Sequence, residues 1–280
     1  MQTVEYKTLI TVDQLSAILD QQALVILDCS FSLADTSLGR KLYMASHIPG
    51  AYFMDINLDL SSPVIKGVTG RHPLPHPLVL TSSLKAAGLH SNSQVVVYDQ
   101  SNGMYASRAW WLLNWLGHEK VALLDGGFGA WTANKQAVDN QWPPPQQGSF
   151  QFTNPRLETV GMKELIAESH ALIDSREHMR FTGEIEKIDP VAGHIPGAIC
   201  IPYVDNTDEQ GFWKSADQLK EKFEEVSLEV DEDQGRTHSS AVPTSPRRTP
   251  ACPRRSSTSW SLSPRANCFV AAAGGTAAGQ

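Results

Sequence analysis

Among the residues whose types could do nucleophilic, redox or metal chemistry are four cysteines, Cys29, Cys200, Cys252 and Cys268. They form no C-x-x-C pair and are too sparse for a disulfide framework, so reduced thiols are expected, with no metal and no cofactor. A reactive cysteine needs its thiolate stabilised by cationic neighbours or backbone N–H groups. Cys252 has Arg254 and Arg255 beside it, but Pro253 supplies no N–H and no apolar strand leads into the segment. Cys29 follows a run with the character of a buried strand, and Cys200 precedes Ile201-Pro202, so both read as small, inert core residues.

Two histidines stand in repeated surroundings. His47-Ile48-Pro49-Gly50-Ala51 returns 147 residues later as His194-Ile195-Pro196-Gly197-Ala198, each after an apolar-Asp pair, Leu27-Asp28 and Ile173-Asp174. Before a Pro-Gly turn, an imidazole ties a loop to its sheet by hydrogen bonds, and a structural role is preferred to a catalytic one. Trp110, Trp111 and Trp131 are expected in the core or at a domain interface, where large rings supply buried area.

The elements that would position these groups alternate. Ala23–Leu27 and Val95–Tyr98 are short β-branched runs of the kind buried on both faces of a sheet. Helices are expected from Thr11-Val12-Asp13-Gln14, from Ser82–Ala87 onward, and over Met104–Leu116, which Gly117-His118 ends. Such alternation predicts a parallel sheet with helices on its faces. A repeat of this length is a duplicated domain and not a solenoid. The second half opens with Gly161–Glu168 as helix and Ala171–Ile173 as strand, and Asp217–Val226 reads as a later helix. The expected division is residues 8–141, a Pro-rich extended linker at 142–155, a second domain beginning at 156–233, and a tail at 234–280.

That tail differs in kind. It holds eight Ser, eight Ala, six Arg and five Pro, without Ile, Met, Tyr, Asp, Glu or Lys, and shows no helix or strand period, so it is expected to be disordered. All 30 acidic residues lie at or before Asp233, which with the other 17 basic residues leaves −13 on residues 1–233 against +6 on the tail. The tail has neither a helical stripe of charge nor interleaved aromatics, and nucleic-acid binding is not expected. With no apolar run near the ~20 residues of a bilayer span and no secretory signal pattern, the chain is expected to be soluble and cytoplasmic.

Taken together and in order, His47-Ile-Pro-Gly-Ala, Val96-Val97-Tyr98-Asp99, Ser107-Arg108-Ala109-Trp110-Trp111, Gly117-His118, Leu124-Asp125-Gly126-Gly127 with Trp131, and Gly193-His-Ile-Pro-Gly-Ala resemble the two-domain rhodanese family over roughly residues 8–230. The resemblance implies two tandem α/β domains and transfer of sulfane sulfur from thiosulfate or 3-mercaptopyruvate to cyanide or a thiol through a cysteine persulfide. It also implies a silent first domain, with Asp99 where the second domain carries its nucleophile. Arg180, in Asp174-Ser175-Arg176-Glu177-His178-Met179-Arg180-Phe181-x-Gly183, matches the family's substrate arginine. The second arginine of mercaptopyruvate-type members is missing. Lys187 stands nearby as its candidate substitute in substrate binding, a point charge without the bidentate fork. Arg71 and His72, in Gly70-Arg71-His72-Pro73, fall in the first-domain loop that reaches toward the family's active site, which makes them candidates for donor binding, with an ordinary loop contact as the alternative.

The expected nucleophile does not appear. Asp99 follows His47 by 52 residues, which puts its counterpart near residue 246, yet the sequence around Ser240-Ala241-Val242-Pro243 offers neither strand nor cysteine. If the Ser240 codon ends in T, the bases of this stretch regroup to spell Cys-Gly-Ser, and in the same frame Ala272-Ala273-Gly274 can hold Gly-Ser-Trp. A frameshift shortly after Asp233 would explain both. As written, the chain is expected to be inactive and its second domain incomplete. The rival reading is a non-catalytic binding or regulatory protein on the same scaffold.

Overall fold

The computed structural model describes residues 4–161 and 172–224 and the backbone of residues 269–270. In the first half, β1 (Leu9–Ile10), β2 (Leu24–Asp28), β3 (Tyr52–Phe53), β4 (Gln94–Tyr98) and β5 (Val121–Leu124) form a sheet in the order β1-β5-β4-β2-β3. Every pairing in it is parallel, with Leu27 opposite Val97 and Asp28 opposite Tyr98. The β4 residues are all buried because the sheet is covered twice. Val95 and Val97 face a core with Leu80, Leu84, Leu112 and Leu113, while Val96 and Tyr98 face Leu15, Ile10 and Trp131 on the other side.

The covering helices are α1 (Val12–Ile18), α2 (Leu38–Ala45), α3 (Pro77–Ala86), α4 (Ala106–Trp115) and α5 (Gly127–Ala133). The start of α1 follows its sequence. The Thr11 hydroxyl accepts the Gln14 N–H while the Gln14 side chain takes the Thr11 N–H, a reciprocal cap. Helix α3 begins five residues before the expected Ser82. Pro77 occupies its first turn, where a preset φ and a missing N–H cost nothing, and His76 Nδ1 accepts the Leu78 N–H. The Pro-rich approach hides this start in the sequence.

Residues 142–155, expected to be an extended linker, run as a strap along the first half. Gly148 N–H donates to Lys85 O at 2.8 Å, Phe150 N–H to Leu89 O at 3.0 Å and Arg156 N–H to Trp115 O at 2.9 Å. The buried Phe150 ring, edge-on to His118, gives the strap its reason to stay.

In the second half, β6 (Leu172–Asp174), α6 (His178–Thr182), β7 (Ala198–Cys200), a 3-10 turn (Tyr203–Asn206) and a helix over 216–224 repeat part of this plan. Cys200 lies opposite Asp174 as Phe53 lies opposite Asp28. The expected helix at Gly161–Glu168 falls almost wholly outside the described residues. Contrary to the expectation of a strandless tail, Phe269–Val270 form β8, giving a sheet β7-β6-β8. Val270 pairs with Ile173 as Val97 pairs with Leu27, so β8 takes the slot of β4.

Candidate functional site

Asp99 directly follows the central strand β4, where the sheet's C-terminal edge opens. It is fully buried, and its carboxylate is the focus of the loop that follows. Oδ1 accepts the N–H groups of Ser101 and Gly103 at 2.7 and 2.9 Å; Oδ2 accepts those of Tyr105 and Ala106 at 2.7 and 2.8 Å. The last two belong to the start of α4, so an anion here is held by donors that the helix leaves unpaired. Across the loop, a Cβ on Gly127 would lie 2.6 Å from Asp99 O, so only glycine permits the approach of α5. A cleft of about 310 Å³ beside it is lined by Asp99, Gln100, Asn102, Phe128, Thr132 and, from the second half, Gln210.

The second half closes over this edge. Trp213 N–H donates to Asp125 Oδ1 at 2.9 Å, and the rings of Phe212 and Trp213 lie over Gly126 and Gly103. Burial pushes the Asp125 carboxyl up in pKa.

A row of alternating charges runs between the halves. Arg176 holds Asp174, with Nη2 2.6 Å from Oδ2, and also donates to Gly193 O at 2.7 Å. Arg180 places Nε and Nη2 each 3.0 Å from Glu186 Oε2, and Nη2 2.7 Å from Asp189 Oδ2. Arg71 reaches across from the first domain and pairs with the other oxygen of Asp189. Burial alone would raise the Glu186 pKa. The N–H groups of Asp189 and Ile188 and the Arg180 guanidinium outweigh it and hold the carboxyl down to about 2.

Of the residues expected at the site, the structure brings Arg71 and Arg180 together and not the other two. His72 turns into the first domain, with Nε2 3.1 Å from Asn57 Oδ1 and its ring edge-on to Phe31. Burial pushes its pKa down to about 4, with Arg108 and Arg71 adding to the effect. Lys187 is exposed, and the carboxylates on either side of it belong to Arg180. Sequence reasoning passed over Glu186 and Asp189. The signal was present as acids in Glu184-Ile-Glu-Lys-Ile-Asp189 just after the arginines, but spacing alone does not say which pairs meet.

The two repeated histidines, His47 and His194, hydrogen-bond backbone carbonyls. His47 is buried, stacked on Tyr43 at 3.9 Å, with ring nitrogens 2.7 and 3.1 Å from the carbonyls of Tyr43 and Gln141. His194 repeats this on Phe181, stacked at 3.7 Å with Nδ1 2.7 Å from its carbonyl. Trp131 is buried with Nε1 on Ala137 O, while Trp110 and Trp111 pack partly buried against the first-domain core.

Burial raises the thiol pKa of both described cysteines. Cys29 is wholly buried and its thiol pKa is pushed well up by burial next to Asp28. Cys200 sits on β7, with Sγ 3.8 Å from Arg176 O, and burial next to Asp174 raises its pKa as well. Cys252, Cys268 and Ser240-Ala241 lie outside the described residues. Among the described residues, no group of three or more His, Cys, Asp or Glu is placed to hold a metal ion.

The model of the rhodanese-like domain matches residues 11–134. Over 220 residues the chain is 47% identical to a probable 3-mercaptopyruvate sulfurtransferase of Pseudomonas aeruginosa, covering 77% of this chain and 78% of the relative. The chain belongs to the rhodanese family. It is also 31% identical over 216 residues to bovine thiosulfate sulfurtransferase, covering 73% of this chain and 71% of that one. Among solved structures, SseA of Escherichia coli, a 3-mercaptopyruvate sulfotransferase, superposes with a TM-score of 0.67 at 26% identity, covering 84% and 85% of the two chains. This rhodanese-like chain therefore carries the family's parallel sheet flanked by helices. Among the described residues, no helix is long and apolar enough to cross a membrane.

Proposed function

We propose that this chain is built as a sulfurtransferase for thiosulfate or 3-mercaptopyruvate, with cyanide or a thiol as acceptor, and that it binds the donor without turning it over. The observation that carries the reading is the meeting of Arg71 and Arg180 from different halves of the chain on one carboxylate. Two guanidinium groups directed at one point suit an anionic donor, because each offers a planar fork of N–H groups to its oxygens. The names of the relatives support the donor classes.

The register of β8 supports the absence of turnover. In the first domain, the residue two beyond Val97 sits in a loop of four N–H groups; two beyond Val270, the sequence has Ala272, with no sulfur to carry. Cys29 and Cys200, with raised pKa values, do not replace it. The frameshift idea concerns residues outside the described ones and is tested by reading the DNA across codons 225–280 in all frames. The function itself is tested with purified protein, thiosulfate and cyanide, and then with 3-mercaptopyruvate. Thiosulfate should bind and thiocyanate should form no faster than in buffer. Rapid thiocyanate formation would refute the inactive reading, and failure of either donor to bind would refute the donor site.

A further inference from the structure

We propose that Asp189 is a resident anion in the donor site: its carboxylate joins Arg71 to Arg180 when no donor is present, and an anionic sulfur donor of the thiosulfate class enters by displacing it. The inference rests on the reading of these two arginines as donor-binding residues. It separates two carboxylates that sequence alone treats alike. Glu186 has a side chain only 3% exposed, and its Oε1 accepts the N–H groups of Ile188 and Asp189 at 2.7 and 2.8 Å. Moving it would strand two backbone donors, so it belongs to the scaffold. Asp189 is 15% exposed, and among the described residues its carboxylate meets only arginine side chains, Nη2 of Arg180 at 2.7 Å and Nη1 of Arg71. Exchanging that carboxylate for another anion leaves no backbone N–H unpaired. Both arginines keep a charged partner, and Glu186 still holds Arg180 in place at 3.0 Å.

An internal anion of this kind competes with the ligand and lowers its apparent affinity by the fraction of time it occupies the site. Asp189 is thus a specificity residue. A weakly interacting anion does not displace it, whereas a compact dianion with several acceptor atoms can take both guanidinium groups at once.

The test is calorimetric titration of the full chain with thiosulfate at fixed ionic strength. Asp189→Asn is expected to bind about tenfold more tightly than the parent, the gain for a site that an internal anion occupies roughly nine-tenths of the time. Glu184→Gln removes one exposed negative charge from the same segment and should leave the affinity unchanged. Arg180→Ala should abolish binding in either background. If Arg180→Ala leaves thiosulfate binding intact, the donor-site reading itself fails. If Arg180→Ala abolishes binding but Asp189→Asn binds no better than the parent, or Glu184→Gln tightens it equally, the resident-anion proposal fails and the donor-site reading stands. Asp189→Ser replaces the Asn variant should that not fold; failure of both to fold would make Asp189 a structural keystone and overturn the proposal.

Discussion

At the scale of single residues, Asp99 links sequence to chemistry most directly, because four backbone N–H groups converge on its carboxylate. Such a loop stabilises any anion of the right size, so Asp99→Cys should place a thiol in a site that favours thiolate. The expected outcome is a cysteine alkylated by iodoacetamide at neutral pH well before Cys29 or Cys200, whose thiols burial pushes up. Equal or slower labelling of the new thiol would contradict the anion-cradle account. His72 makes a second prediction. Its folded pKa of about 4 lies below the ordinary value of about 6.5, so the unfolded chain binds the extra proton between those values. Stability should therefore fall as pH drops from 6.5 to 4. Urea midpoints measured across that window should fall less steeply in His72→Asn.

At the scale of elements, α5 is set against the Asp99 loop by one glycine and indifferent to the next. A Cβ at Gly127, where φ is +55°, would meet Asp99 O at 2.6 Å, whereas one at Gly129 meets nothing within 4 Å. Gly127→Ala is expected to cost about 2 kcal/mol or more, combining a left-handed backbone with a backbone clash. Gly129→Ala should be neutral or stabilise by up to about 1 kcal/mol, because it removes a helix-interior glycine. Chemical denaturation of the pair measures both, and equal effects would show that the approach of α5 is not constrained at Gly127. The same scale explains what the sequence hid. The Thr11 cap and the β4 run follow from local residues, but the start of α3 lies behind Pro73-Leu-Pro-His-Pro77, which reads as a loop until Pro77 is recognised as a first-turn residue. The strap at 142–155 reads as a linker because its prolines are local, whereas the burial of Phe150 depends on a distant wall.

At the scale of the whole molecule, the first half is a complete unit, with both faces of its sheet covered and the strap docked across it. A fragment of residues 1–160 should therefore melt in one cooperative transition by circular dichroism. A broad, non-cooperative melt would show that it needs the second half. The second half depends on long-range placement: β8 comes from far along the chain to pair with β6.

What the sequence by itself determined were the properties carried by local pattern: the duplicated His-Ile-Pro-Gly turns, the buried parallel strands, the capped α1 and the family. Each is written in contiguous residues, and the physics that reads them, periodicity, capping and turn geometry, acts over a few positions. Only the tertiary structure decided that Arg71 meets Arg180 across Asp189, that His72 faces inward and that Phe269–Val270 pair beside β6 in the slot that β4 holds beside β2. Those facts join residues that lie far apart in the chain, or choose among neighbours of equal chemistry. Charge pairing and burial depend on distances in space, which folding of the whole chain fixes and which no local pattern encodes.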